Sequence, residues 1–275
     1  MAAPREILAR TVLSKSGVGD YSVNCYVGCM HGCIYCYARF MRKFTNHTEP
    51  WGKFLDVKIN APVVLANEVR RKKRGYVFLS SVCDGWQPIE MRYKLTRQCV
   101  KILVEAGFHA SLLTKSKLVR RDFDILQGFS NCDVGCTLTT ADESLRFKIE
   151  PGASPTWERI CVLEEACERG IKAWAFLGPF LPELTDTDES LDRLIGAIAS
   201  LPLEHICADK LNMRPGVWGS IVRFLSRYDP TLIPRYEKLF FDEEALEQYR
   251  QALANRLRAV ASSHGIEYKL RVIFG

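Results

Sequence analysis

The chain has 275 residues, 47% of them hydrophobic and 25% charged, with a net charge of +6. This excludes a disordered polyelectrolyte, and no apolar run approaches the roughly 20 residues that cross a bilayer, so no membrane segment is expected. The opening "MAAPREILARTVLSKSG" is broken by charges and does not read as a signal peptide, which gives a cytoplasmic expectation. Eleven cysteines are many, and the number is odd. In a reducing compartment clustered thiols are metal ligands or reactive groups rather than disulfides.

In chain order, "DYSVN" (20–24) reads as a first strand and "APVVLANEVRRKKRG" (61–75) as a first helix. "YVFLSS" (76–81) is a strand by its β-branched and aromatic content, and "YKLTRQCVKILVEAG" (93–107) an amphipathic helix that stops at Gly107. A strand at 109–115, a short helix at 119–128 and a strand at 133–140 follow. "SPTWERICVLEEACERG" (154–170) carries a Ser cap, a Pro in its first turn and a closing Gly. "IKAWAFLG" is a strand, "DTDESLDRLIGAIASL" a helix and "HICADKL" (205–211) a sixth strand. A long helix at 242–265 and an edge strand "YKLRVIF" close the chain.

Six strand-then-helix units imply a parallel sheet with right-handed crossovers. The expected fold is α/β, a partial six-unit TIM-like barrel, in one domain over 1–275. Its core spans about 20–210, and a C-terminal extension, mainly helical, spans about 211–275. In such barrels the chemistry sits on loops at the carboxyl ends of the strands.

The loop after the first strand, "NCYVGCMHGCIYCYARF" (24–40), holds Cys29, Cys33 and Cys36 in CxxxCxxC spacing, with Cys25 four positions earlier. A closed zinc site would want two separated CxxC-type pairs, which are not here, although Cys25 offers a fourth thiolate. A redox disulfide at Cys33 and Cys36 is a further alternative. Three thiolates on a 4Fe-4S cluster leave one iron open to a small-molecule chelate. Cys25 itself reads as a strand-end thiol. Cys132, Cys136, Cys161 and Cys167 read mainly as buried small hydrophobes.

The loop resembles the cysteine motif of radical S-adenosylmethionine (SAM) enzymes, with Tyr35 at the aromatic position. "GCMHGCIYCYARF" is more narrowly similar to the spore photoproduct lyase-like branch, also labelled DNA repair photolyases. The likeness continues through "FLSSVCDGWQPIEMRYKLT", "LLTKSKLVRRDFDIL" and "LTTADESLRFKIEPGASPTWER" and covers most of residues 20 to 210. It implies a 4Fe-4S cluster on Cys29, Cys33 and Cys36 and SAM at the open iron. It also implies reductive cleavage to a 5′-deoxyadenosyl radical that takes a hydrogen from substrate. The electron would come from a flavodoxin or ferredoxin.

The resemblance sets Cys83, Lys115 and Cys136 or Thr137 against the methionine part of the cofactor. Tyr35, Ser81, Asp84 and Thr139, at strand ends or on the loop, join this cofactor-binding set. Lys115 suits a ligand carboxylate, although "KSK" leaves open whether Lys115 or Lys117 points inward. Glu150 and Arg159 have two readings, holding a ribose or pairing with each other. The lyase's hydrogen-donor cysteine falls here at Ser81. Cys83, two residues on, would share its face in an extended segment and substitute for it. Tyr37 flanks the last cluster cysteine as a second catalytic candidate.

The run "RRKKR" (70–74) ends a helix, where cations are favoured without a partner. Arg120, Arg121, Arg214 and Trp218, with Trp86, are better placed to clamp a nucleic acid base, and the two tryptophans read equally as pocket-lining residues. Three functions follow: a radical enzyme of lyase or transferase type acting on nucleic acid, one acting on a peptide or small molecule, and an iron–sulfur electron carrier.

Overall fold

A computed structural model describes residues 3–274. Its strands are β1 (Arg5–Ile7), β2 (Leu13–Lys15), β3 (Tyr21–Val23), β4 (Tyr26–Val27), β5 (Asp56–Lys58), β6 (Tyr76–Leu79), β7 (His109–Thr114), β8 (Cys132–Leu138), β9 (Ala173–Phe180), β10 (Ile206–Lys210) and β11 (Leu270–Val272). The helices are α1 (Ala61–Val69), α2 (Glu90–Tyr93), α3 (Leu95–Glu105), α4 (Phe123–Leu126), α5 (Glu143–Ile149), α6 (Thr156–Glu168), α7 (Asp188–Gly196), α8 (Val217–Tyr228), α9 (Leu232–Phe241) and α10 (Glu243–Ser263).

The main sheet runs β11-β10-β9-β8-β7-β6-β3-β2. Every pairing is parallel except β2 with β3. The six expected strands β3, β6, β7, β8, β9 and β10 therefore lie in chain order, and β11 adds the expected edge. The sheet does not close, so the barrel is partial. A small sheet, β1-β5-β4, has no counterpart in the sequence reading. Strands of two or three residues carry too few positions to show a period.

The two faces of the sheet differ. Side chains alternate along a strand. Val77, Leu79, Ala110, Leu112, Val134, Cys136, Leu138, Ala175 and Leu177 are fully buried in the main core. The opposite face carries Ser111, Asp133, Thr137 and Trp174. There Asp133 accepts from Ser111 Oγ at 2.6 Å and Trp174 Nε1 at 2.7 Å, and pairs with His109 Nε2 at 2.7 Å. Three partners offset the cost of burying the carboxylate. The lumen is thus polar, while the outer layer is sealed by helices.

Local chemistry sets several helix ends. Asp142 accepts from the N–H of Ser144 and Leu145 and starts α5. Thr187 caps α7, which has Asp188 and Glu189 in its first turn. α6 starts at Thr156 rather than at Ser154, whose carbonyl is taken by Arg159 Nε at 2.8 Å. α1 ends at Val69, so "RRKKR" forms the turn leading into β6, at the amino ends of the strands. α8 and α9, which the sequence reading did not resolve, build a second core with the cysteine loop, including Cys33, Tyr35, Ile149, Ile221 and Tyr236. No helix among the described residues is long and apolar enough to cross a membrane.

Gly135 lies beside the Trp174 ring, and a Cβ there would overlap it. Overpacking of this kind costs about 1–3 kcal/mol. Gly135→Ala is expected to lower the unfolding free energy by that amount, read as a lower urea midpoint with an unchanged slope.

Candidate active site

The cysteine loop leaves β3 at the carboxyl end of the sheet and is pinned from several sides. Met30 N donates to Gln87 Oε1 at 2.8 Å, Ile34 N to the Ile149 carbonyl at 3.0 Å, and Gly152 N to the His31 carbonyl at 3.0 Å. Arg39 donates to the Cys33 carbonyl at 2.8 Å. Gly28 (φ 93°) has the left-handed backbone that disfavours a side chain, and a Cβ there would also meet the Phe54 carbonyl. These contacts turn the loop so that Cys29 and Cys33 are buried and Cys36 half-buried, all as free thiols.

Burial pushes all three thiols up, Cys33 to about 12. Cys29 feels the charges of both Cys33 and Cys36, which places the three in one electrostatic neighbourhood. The positive charge of Lys115 pulls against the rise at Cys33 and Cys36, and Trp51's indole N–H acts the same way on Cys36. That N–H is buried and has no hydrogen-bond partner in the structure. Among the described residues no three such ligands converge tightly enough for a single metal ion. The donor set fits a larger inorganic group: three clustered thiols, a cation, and an N–H suited to a thiolate sulfur. A multi-iron cube spreads its ligands more widely than one ion does.

Around the loop the residues sort into three groups. Lys115 faces inward, its Nζ 5.8 Å from the Tyr35 ring centroid, with no ion-paired carboxylate among the described residues. Lys117 turns outward to Glu158 at 2.6 Å, which resolves the "KSK" ambiguity. Tyr37 is 45% exposed and donates to the Ser81 carbonyl, and Ser81 Oγ accepts from Asn24 Nδ2 at 2.9 Å. Thr137 lies on the lumen face.

A second group braces the site. Glu150 and Arg159 are both fully buried and paired at 2.5 Å. Tyr35 donates to Glu150 Oε1, and Thr139 Oγ1 lies 2.7 Å from the same oxygen. Arg159 also binds the Thr137 carbonyl at 2.9 Å. Of the two readings for Glu150 and Arg159, the structure therefore has mutual pairing. Asp84 is likewise engaged, accepting from Thr114 Oγ1 at 2.7 Å, Lys115 N at 2.8 Å and Trp86 N at 2.8 Å, with buried His31 Nδ1 at 3.4 Å.

The third group leaves the site. Cys136 shares the helix-facing side with Val134 and Leu138, opposite Thr137, because β8 stays extended to Leu138. Cys83 does not share a face with Ser81. The chain turns at Ser80 (φ 75°), and Cys83 is buried in the core, 3.6 Å from Asn24 Oδ1. Trp86 is fully buried and donates to Asp122 at 2.8 Å, so it clamps no base. Trp218 packs edge-on to Phe241 at 5.2 Å. Arg120 pairs with Glu165, and Arg121 with Glu90 at 3.0 Å. Sequence reading missed Asn24, His31, Arg39, Trp51 and Gln87, which are isolated polar or aromatic residues with no spacing signal. For His31, its place inside the cysteine motif was the available hint.

A family model described as the Radical SAM superfamily matches residues 23–195. An uncharacterized protein of Methanocaldococcus jannaschii is 40% identical over 168 residues, which are 61% of this chain and 63% of that protein. One of Mycobacterium tuberculosis is 30% identical over 272 residues, 94% of this chain and 80% of the relative. The chain thus spans under two thirds of the archaeal relative it matches. Spore photoproduct lyase complexed with dinucleoside spore photoproduct shares the fold at a TM-score of 0.74 and 13% identity, covering 98% of this chain and 82% of the lyase. A mutant lyase with bound AdoMet, the SAM cofactor, matches at 0.73 and 12%, with the same coverage of both chains.

Burial works to raise the Glu150 pKa, but Arg159 and Lys115 outweigh it and hold the carboxyl below its ordinary value of 4.5. The pair's contribution is therefore fully present above pH 4.5 and is lost as pH falls toward the depressed folded value. Arg159→Met, which strands the buried carboxylate, is expected to cost about 3–5 kcal/mol at pH 7. Glu150→Gln should flatten the loss of stability below pH 4.5, read from urea midpoints across pH.

Proposed function

The chain belongs to the radical SAM superfamily; from that premise we propose that Cys29, Cys33 and Cys36 hold a 4Fe-4S cluster and that the enzyme acts on a nucleic acid base or lesion. When bound, cluster and SAM supply reductive carbon–sulfur cleavage to a 5′-deoxyadenosyl radical, the chemistry of the superfamily. The observation that carries the reading is the buried thiol triad beside a cation that has no ion-paired carboxylate, Lys115.

In this reading the chain's own groups bind, orient and exclude water. Lys115 takes the cofactor's carboxylate, with the Tyr35 ring against its ammonium. Tyr35 is held there by the Glu150–Arg159 pair and Thr139, so the loop keeps its shape when the ligand arrives. Asp84 and Ser81 contribute by fixing the segment after β6. Of the two catalytic candidates, Tyr37 reaches the open side of the site, whereas Cys83 lies beneath Asn24. Thr137 and the polar lumen offer hydrogen bonds to a substrate at the barrel mouth. Residues 1–275 are read as one domain, since the main core runs from Val12 to Ile266.

The nucleic acid reading is favoured over a peptide or small molecule by the fold shared with a lyase that was solved in complex with a dinucleoside spore photoproduct. Anaerobic turnover with deuterated oligonucleotides, following label into 5′-deoxyadenosine, tests it; label from peptides or metabolites alone would refute it. Formation of no 5′-deoxyadenosine at all would leave the electron carrier.

Cys33→Ala is expected to lose the cluster's iron and brown absorbance, while Cys25→Ala, altering a thiol 3.6 Å from Cys99 Sγ in the core, keeps both. Lys115→Met should retain iron and weaken SAM binding by about 1.5–3 kcal/mol, as for a lost charge-assisted hydrogen bond. Calorimetric titration with SAM reads the difference.

A further inference from the structure

A cavity of about 490 Å³ opens beside the cysteine loop, and Lys115 is not part of its lining. Ile34, Arg39, Pro50 and Trp51 form one wall, and Lys148 with Arg223, Arg227 and Tyr228 form the other. It holds four cations and no carboxylate. None of the four has an ion-paired carboxylate among the described residues. Elsewhere such pairs are common: Arg120 with Glu165, Arg146 with Glu143, Arg159 with Glu150, Arg169 with Glu165. Four unpaired cations around one concavity repel each other and are best satisfied by an acidic occupant.

The wall matters as much as the charge. Ile34 follows Cys33 directly and precedes Cys36 by two residues. Arg39 holds the Cys33 carbonyl at 2.8 Å, and Trp51 lies against the Cys36 thiol. Tyr35, by contrast, turns its hydroxyl away to Glu150 and Thr139. Neighbouring loop residues thus serve different surroundings, Tyr35 beside Lys115 and the Glu150–Arg159 pair, and Ile34 in the cavity wall. Radical SAM chemistry needs an electron from a reduced partner, and the cavity wall includes Ile34, the loop residue next to Cys33, and Arg39, which binds the Cys33 carbonyl.

We propose that this cavity is the docking site of an acidic, low-potential one-electron carrier protein. The inference rests on the metal reading above. One electron leaves the reduced carrier, which is left one electron more oxidised, and passes to the metal group on Cys29, Cys33 and Cys36. No bond forms or breaks. Electrostatic complementarity of this kind acts mainly on association rate and falls with salt.

The test uses reconstituted holoprotein and bacterial flavodoxin reduced to the hydroquinone. Stopped-flow bleaching of the cluster gives the reduction rate, and calorimetry with oxidised flavodoxin gives binding to apo- and holoprotein alike. The double variant Arg223→Glu with Arg227→Glu alters two exposed side chains of α8. It should slow reduction by flavodoxin roughly tenfold or more at low salt and weaken calorimetric binding. Dithionite reduction should be unchanged. Arg71→Glu with Lys73→Glu, the same charge change on exposed residues at the other end of the strands, should have no effect. Equal slowing by both doubles, or by neither, overturns the proposal. So does intact flavodoxin binding with lost retention of single-stranded DNA, which would make the cavity a polynucleotide site. A holoprotein that dithionite cannot reduce counts against the metal reading instead, while the apoprotein calorimetry still decides the docking.

Discussion

A thiol shut away from water releases its proton only if positive charge is ready to take the proton's place. Cys29, Cys33 and Cys36 are held in that condition, each pushed up by burial. Lys115 and the Trp51 N–H ease the charge without cancelling the cost. Three such thiols in one neighbourhood are unfavourable as free anions and favourable as ligands. Most of the loop's scaffolding, from Gln87 and Ile149 to Gly152 and Arg39, holds them in place against that repulsion.

The half-barrel supplies the remaining asymmetry. Its lumen is polar and open at one side, while its outer face is sealed with aliphatic side chains. The Glu150–Arg159 pair sits where these layers meet. It ties Tyr35 on the loop to α6 and to the Thr137 carbonyl of β8. Removing either partner leaves a buried charge, so the brace works as a unit. Asp84 does the same on the other flank, linking the segment after β6 to β7.

Much of the architecture was legible because long strands and helices repeat their pattern. β7, β8, β9 and β10 lie within a residue or two of their expected bounds along most of their length, and the three cysteines stood out by spacing alone. What stayed hidden depends on geometry that spacing cannot carry. The positive φ at Ser80 breaks the extended segment that would have aligned Cys83 with Ser81. Strand alternation, one residue out, turns Cys136 into the core while Thr137 faces the lumen. Trp86 suits a base clamp or a pocket wall equally by sequence, and the structure buries it instead, with Asp122 drawing its indole inward. Trp51 and Arg39 gave no signal, since their importance comes from what the fold sets beside them.

Electron paramagnetic resonance of the reduced, reconstituted protein reads the metal environment directly. Adding SAM should shift the g-values of a four-iron signal, because a ligand has joined an iron that no residue holds. A spectrum unchanged by saturating SAM, or a protein that takes up only zinc, would contradict the assignment of the thiol triad.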